Sequence, residues 1–66
     1  MTYLQTQNYA RERGVIARVN LARTHVHFYV GEEAHKSTWM EIGRATLCNG
    51  DIHRPTVELI CGKKRG

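Results

Sequence analysis

His25 and His27 are separated by one residue, the spacing that puts two side chains on one face of a strand. Two imidazoles so placed suit zinc or another borderline metal, provided that a third ligand joins them. The sources for it are His35, His53, Cys48 and Cys61. The run Cys48, His53, Cys61 reads C-x4-H-x7-C, which matches none of the established zinc spacings. Two polar histidines on an amphipathic strand account for the same pattern. No metal and no other cofactor is expected, and Cys48 and Cys61 are expected as free thiols.

The acids are Glu12, Glu32, Glu33, Glu41, Asp51 and Glu58. A long hairpin over residues 38–61 brings Glu41 opposite Glu58. Facing carboxylates can do acid/base work, because like charges drive their pKa values apart. They read equally well as two solvated acids. The chain holds no nucleophile-base-orienter set, no G-x-x-x-x-G-K-[ST], no G-x-G-x-x-G and no G-x-S-x-G. It is therefore expected to bind and not to turn over: no enzyme and no catalytic residue is assigned.

The basic residues carry more information. Ten Lys+Arg against six Asp+Glu leave a formal charge of +4, and seven of the ten are arginine, the side chain suited to phosphate forks and base stacking. Arg18, Asn20, His27 and Tyr29 fall on one face of a two-stranded unit, with Arg18 opposite Tyr29. Arginine, amide and aromatic side chains on an exposed sheet make a nucleic-acid surface. Lys63, Lys64 and Arg65 add a basic tail able to clamp phosphates. The plainer account is that a moderate charge and a basic tail only keep a small protein soluble.

Trp39 offers a different chemistry. In the long-hairpin register it pairs outward with Ile60, while Met40 and Leu59 point inward. Tryptophan is enriched in binding hot spots, so Trp39 and Ile60 are read as a protein interface. The plainer account is that Trp39 is core.

These side chains must be positioned by strands. Val15, Ala17, Val19 and Leu21 alternate with polar residues, as do Val26, Phe28 and Val30. A tight turn at Arg23-Thr24, or a somewhat wider loop on the same register, puts Leu21 opposite Val26, Val19 opposite Phe28 and Ala17 opposite Val30. Asn49-Gly50 is a type I′ hairpin signal. It pairs Cys48 with Asp51, Leu47 with Ile52 and Ala45 with Arg54, then Ile42 with Val57, Met40 with Leu59 and Thr38 with Cys61. Gly43-Arg44 and Pro55-Thr56 fall opposite one another, so both strands are expected to bend there. The predicted fold is all-β: a small antiparallel meander of two hairpins, forming a partly open SH3/OB-like barrel. The alternative is α+β with one helix near residues 32–42, where Glu32 and Lys36 stand at i,i+4 and Gly43 could close the last turn. Residues 1–12 read either as a turn capped by Thr6 or as an edge strand.

The 66 residues are at most one domain, with 62–66 as its basic tail. No apolar run approaches the ~18 residues of a membrane span, and Met1 opens no secretory leader, so a cytoplasmic protein is expected. A chain this short has a marginal core, which a homodimer would extend. Two functions compete. One is a basic module that contacts nucleic acid or a nucleic-acid-handling protein. The other is a stand-alone inhibitor or adaptor, of the kind phages and other mobile elements carry, that docks on a host protein through Trp39.

Overall fold

The computed structural model describes residues 1–63. Residues 1–12 form neither a Thr6-capped turn nor a strand. They form helix α1 (Tyr3–Glu12), opened one residue earlier by Thr2. The Thr2 hydroxyl accepts from the Gln5 N–H at 3.1 Å, and the Gln5 side chain accepts from the Thr2 N–H at 3.0 Å, a reciprocal capping box. Thr6 and Ala10, one turn apart, are the residues that α1 buries. The Thr6 hydroxyl is satisfied by donating to the Thr2 carbonyl at 2.8 Å, so a polar group enters the core without a penalty. Gly14, at φ 73°, ends the helix and turns the chain into β1 (Ile16–Val19).

β1 pairs antiparallel with β2 (His25–Val30), but not in the predicted register. Val19 meets Val26, Ala17 meets Phe28 and Arg18 meets His27, an offset of two residues. The cause is Asn20. Its Oδ1 accepts from the N–H groups of Thr24 and His25, and its Nδ2 donates to the Thr24 hydroxyl at 2.8 Å. This closes a wide loop with Arg23 at φ 57° and leaves Leu21 fully exposed at its tip instead of paired with Val26. An offset of two keeps every side chain on its predicted face.

β2 pairs in turn with β3 (Met40–Cys48), with a bulge that lets Phe28 face Gly43 and Tyr29 face Glu41. The helix considered for residues 32–42 is reduced to a 3₁₀ turn, Lys36–Thr38, before β3 begins. Asn49 and Gly50 take φ 53° and 77°, and β4 (Asp51–Ile52) returns with Leu47 opposite Ile52 and Cys48 opposite Asp51, as predicted.

The rest of the predicted hairpin does not form. Pro55 sits in the first turn of helix α2 (Arg54–Gly62), where its missing N–H is not needed. Val57, Ile60 and Cys61 make the buried face of α2. Thus Ile42, Met40 and Thr38 do not pair with Val57, Leu59 and Cys61. Met40 and Leu59, predicted inward, are exposed, and Glu58 lies 3.7 Å from Arg54 instead of facing Glu41.

The four described strands run in the order β1-β2-β3-β4 and curl into an antiparallel half-barrel. The expected antiparallel sheet is present, with two helices added to it. Ala17, Val26, Phe28 and Ala45 line its inner face and pack with Ala10 of α1 and with Val57, Ile60 and Cys61 of α2. Ile60 lies over Gly43, where a β-carbon would stand 3.0 Å from its side chain, so this glycine is what lets α2 approach. Both helices cover one face of the sheet, and the other face is open. No helix among the described residues is long and apolar enough to cross a membrane.

Candidate functional site

Opposed residues of an antiparallel ladder share a face, so the register builds the open surface rung by rung. Arg18, His27 and Arg44 form one rung; Ile16, Tyr29 and Glu41 form the next. On the other side of His27, His25 stands opposite Thr46, and the Asn20 N–H donates to the His25 carbonyl at 3.0 Å.

Alternation along β2 lines up three rings. His25 and His27 have centroids 6.5 Å apart, and His27 and Tyr29 6.4 Å apart with planes 26° from parallel. Trp39, from the segment before β3, extends the line with its centroid 5.4 Å from Tyr29. All four rings are half-buried.

Trp39 reaches this position through a loop that closes on itself. Gly31 has φ 147°, and a β-carbon there would stand 2.7 Å from the Thr38 carbonyl oxygen, so only glycine fits. The Thr38 hydroxyl accepts from the Glu32 N–H at 2.8 Å and donates to the His35 carbonyl at 2.7 Å. The indole Nε1–H donates to the Glu32 carbonyl at 2.7 Å. The ring is therefore held by its polar handle, with its apolar body against Tyr29.

Cations gather round it. The Arg18 guanidinium carbon lies 5.5 Å from the Trp39 ring centroid and Lys36 Nζ 5.8 Å, both within cation–π range. Glu41 Oε1 lies 3.2 Å from His27 Nδ1, so one carboxylate tempers the positive face. At the β1 edge, Arg18 also borders a cavity of about 270 Å³ shared with Gln7, Arg11, Gly31 and Glu33. Arg11 is tied there to Glu33 at 3.8 Å.

The groups with shifted titration lie elsewhere. The N-terminal ammonium, 2.8 Å away, holds the Asp51 carboxyl below its ordinary value. Burial pushes the Cys61 thiol up. Cys48 is exposed and Cys61 buried, and neither is bonded to the other. Among the described residues no three His, Cys, Asp or Glu side chains gather to hold a metal ion.

Four predicted residues come together on this face: Arg18, His27, Tyr29 and Trp39. Arg18 lies at Trp39 and not over Tyr29, because the offset register sets it opposite His27. Asn20 spends its amide on the β1–β2 loop and is a structural residue. Ile60, predicted to share a surface with Trp39, is buried at 4% exposure on the opposite side of the sheet. Lys63 caps α2, and Lys64 and Arg65 lie outside the described residues. Sequence reasoning missed Lys36 and Arg44. Pairing Val26 and Phe28 with Ala45 and Gly43 would have placed Arg44 beside His27. Comparison with protein-family models, with curated proteins and with solved structures gave no match.

Proposed function

We propose that this protein binds nucleic acid, free or within a nucleoprotein, through the open face of its sheet. It works by binding and not by turnover. The observation that carries this reading is the line His25, His27, Tyr29, Trp39, bordered by Arg18, Lys36 and Arg44. A sheet face that only meets water has little use for two large aromatic rings. Rings beside cations supply both things a nucleic acid offers a partner for, base faces and phosphates. Lys63, Lys64 and Arg65 add three positive charges in sequence after α2. The free thiols fit a cytoplasmic setting.

The protein-docking alternative keeps one observation in its favour: Met40, the residue after Trp39, is 65% exposed. Salt separates the two. Phosphate contacts release counterions, so affinity falls steeply with ionic strength, whereas an apolar anchor is nearly indifferent. Fluorescence anisotropy of labelled DNA and RNA, single- and double-stranded, against KCl is the test. We expect log affinity to fall linearly with log salt. Removing residues 63–66 should flatten the slope by up to ~3, about one unit per cation lost. No affinity for any of the four probes at low salt overturns the nucleic-acid reading, and docking on a host protein takes its place.

A further inference from the structure

We infer that the nucleic acid taken by this face is single-stranded and is bound with little regard to base sequence. This rests on the reading just given and narrows it. Three observations carry it.

The first is spacing. Neighbouring rings stand 6.5, 6.4 and 5.4 Å apart. Bases along one strand of a duplex rise ~3.4 Å each. A base on each ring must therefore be drawn well away from its neighbour, and a paired, stacked duplex cannot do this without coming apart. A single strand can splay its bases at the cost of its own stacking. One base per ring gives a site of about three to four nucleotides, at the short end for a single-strand module.

The second is the placing of charge. Arg18 and Arg44 occupy the two strands flanking β2, on either side of His27. Lys36 lies beyond, at Trp39. A chain laid along the rings has cations on both flanks for its phosphates. A duplex presents its phosphates on the outside and would hold the rings away from any base face.

The third is that the amide on this face is not free to read a base. Asn20, whose side chain would suit an adenine edge, is engaged within its own loop. Stacking accepts every base, because every base has a π face.

Trp39 is the only tryptophan of the chain, so its fluorescence reports on this site alone. The test titrates the full chain at low salt with dT12, dA12 and U12 oligonucleotides and with a 12-base-pair dA·dT duplex. We expect the oligonucleotides to bind about ten-fold or more tighter than the duplex and to quench Trp39. The dA12 and dT12 affinities should agree to within several-fold. Tyr29→Leu should lower oligonucleotide affinity about five-fold or more, and Tyr29→Phe should keep it. Circular dichroism shows whether Tyr29→Leu folds; if it does not, quenching of the wild-type chain decides. A duplex that binds as tightly as the oligonucleotides, or oligonucleotides that bind with Trp39 unquenched, overturns the inference and leaves nucleic-acid binding standing. Failure of all four probes to bind overturns both.

Discussion

Gly31 and Cys61 are two residues whose surroundings dictate a measurable outcome. At Gly31 a methyl group meets a main-chain oxygen at 2.7 Å, and φ 147° lies where side chains are strained. Gly31→Ala should therefore destabilise the protein by ~1–3 kcal/mol and loosen the loop that holds Trp39. Both effects are read from one melt followed by tryptophan fluorescence. An unchanged melt and an unchanged Trp39 emission would contradict the role given to this glycine. Cys61 is buried among core side chains, and burial raises its thiol while Arg13 partly opposes the shift. An acid whose folded pKa exceeds its unfolded value ionises first in the unfolded chain. Its contribution to stability is intact below the unfolded pKa, ~8.5, and is lost as pH rises through the folded value. Cys61→Ala should flatten the alkaline limb of the stability profile. In the native wild-type chain a thiol reagent should modify the exposed Cys48 well before Cys61.

Element by element, legibility followed how far one pattern excluded its rivals. β1 and β2 were readable because strict alternation of Ala17, Val19, Val26 and Phe28 fits no helix. Their faces were right although the register was not, since the offset came from the Asn20 side chain and not from the alternation. The Asn49-Gly50 turn was readable because both residues take positive φ at little penalty. Helix α2 was hidden by its own composition. Val57, Leu59 and Cys61 alternate as in a strand, while Val57, Ile60 and Cys61 repeat as in a helix. Pro55 decided for the helix, whose first turn accepts it, against a strand in mid-ladder. Helix α1 buries only a threonine and an alanine, so it shows almost no apolar stripe. Its legible sign was the cap, Thr2 followed three residues later by Gln5. Tyr3 and Tyr9 are only half-buried against the core, so the cap adds to a modest packing face. Thr2→Ala should lower stability by ~1 kcal/mol and Thr2→Ser should restore it, measured by urea unfolding. No change on Thr2→Ala would show that packing alone holds the helix start.

On the scale of the whole molecule, the two helices change what the sequence implied about partners. A two-hairpin sheet with Trp39 and Ile60 both uncovered asked for a second copy to cover it. Ile60 lies on the buried face of α2 and is covered by the sheet of its own chain. The resulting surface, 4620 Å², is within about a tenth of the ~4,300 Å² that a folded monomer of this mass presents. With Ile60 buried, the sheet face opposite the helices is the one the strands leave open, and with it the molecule divides by side. One side of the sheet is spent on the core and its helices; the other carries the line from His25 to Trp39 with Arg18 and Arg44 beside it, while Arg11 and Arg54 lie on the helices. Contact of this second side with nucleic acid is mapped most directly by two-dimensional ¹⁵N–¹H spectra of the full chain titrated with dT12. Shifts are expected at the backbone amides of Arg18, His27, Tyr29 and Arg44 and at the indole N–H of Trp39, with Thr6, Ala10, Val57 and Ile60 unmoved. Shifts confined to α1 and α2, or a spectrum that does not change at saturating oligonucleotide, would contradict it.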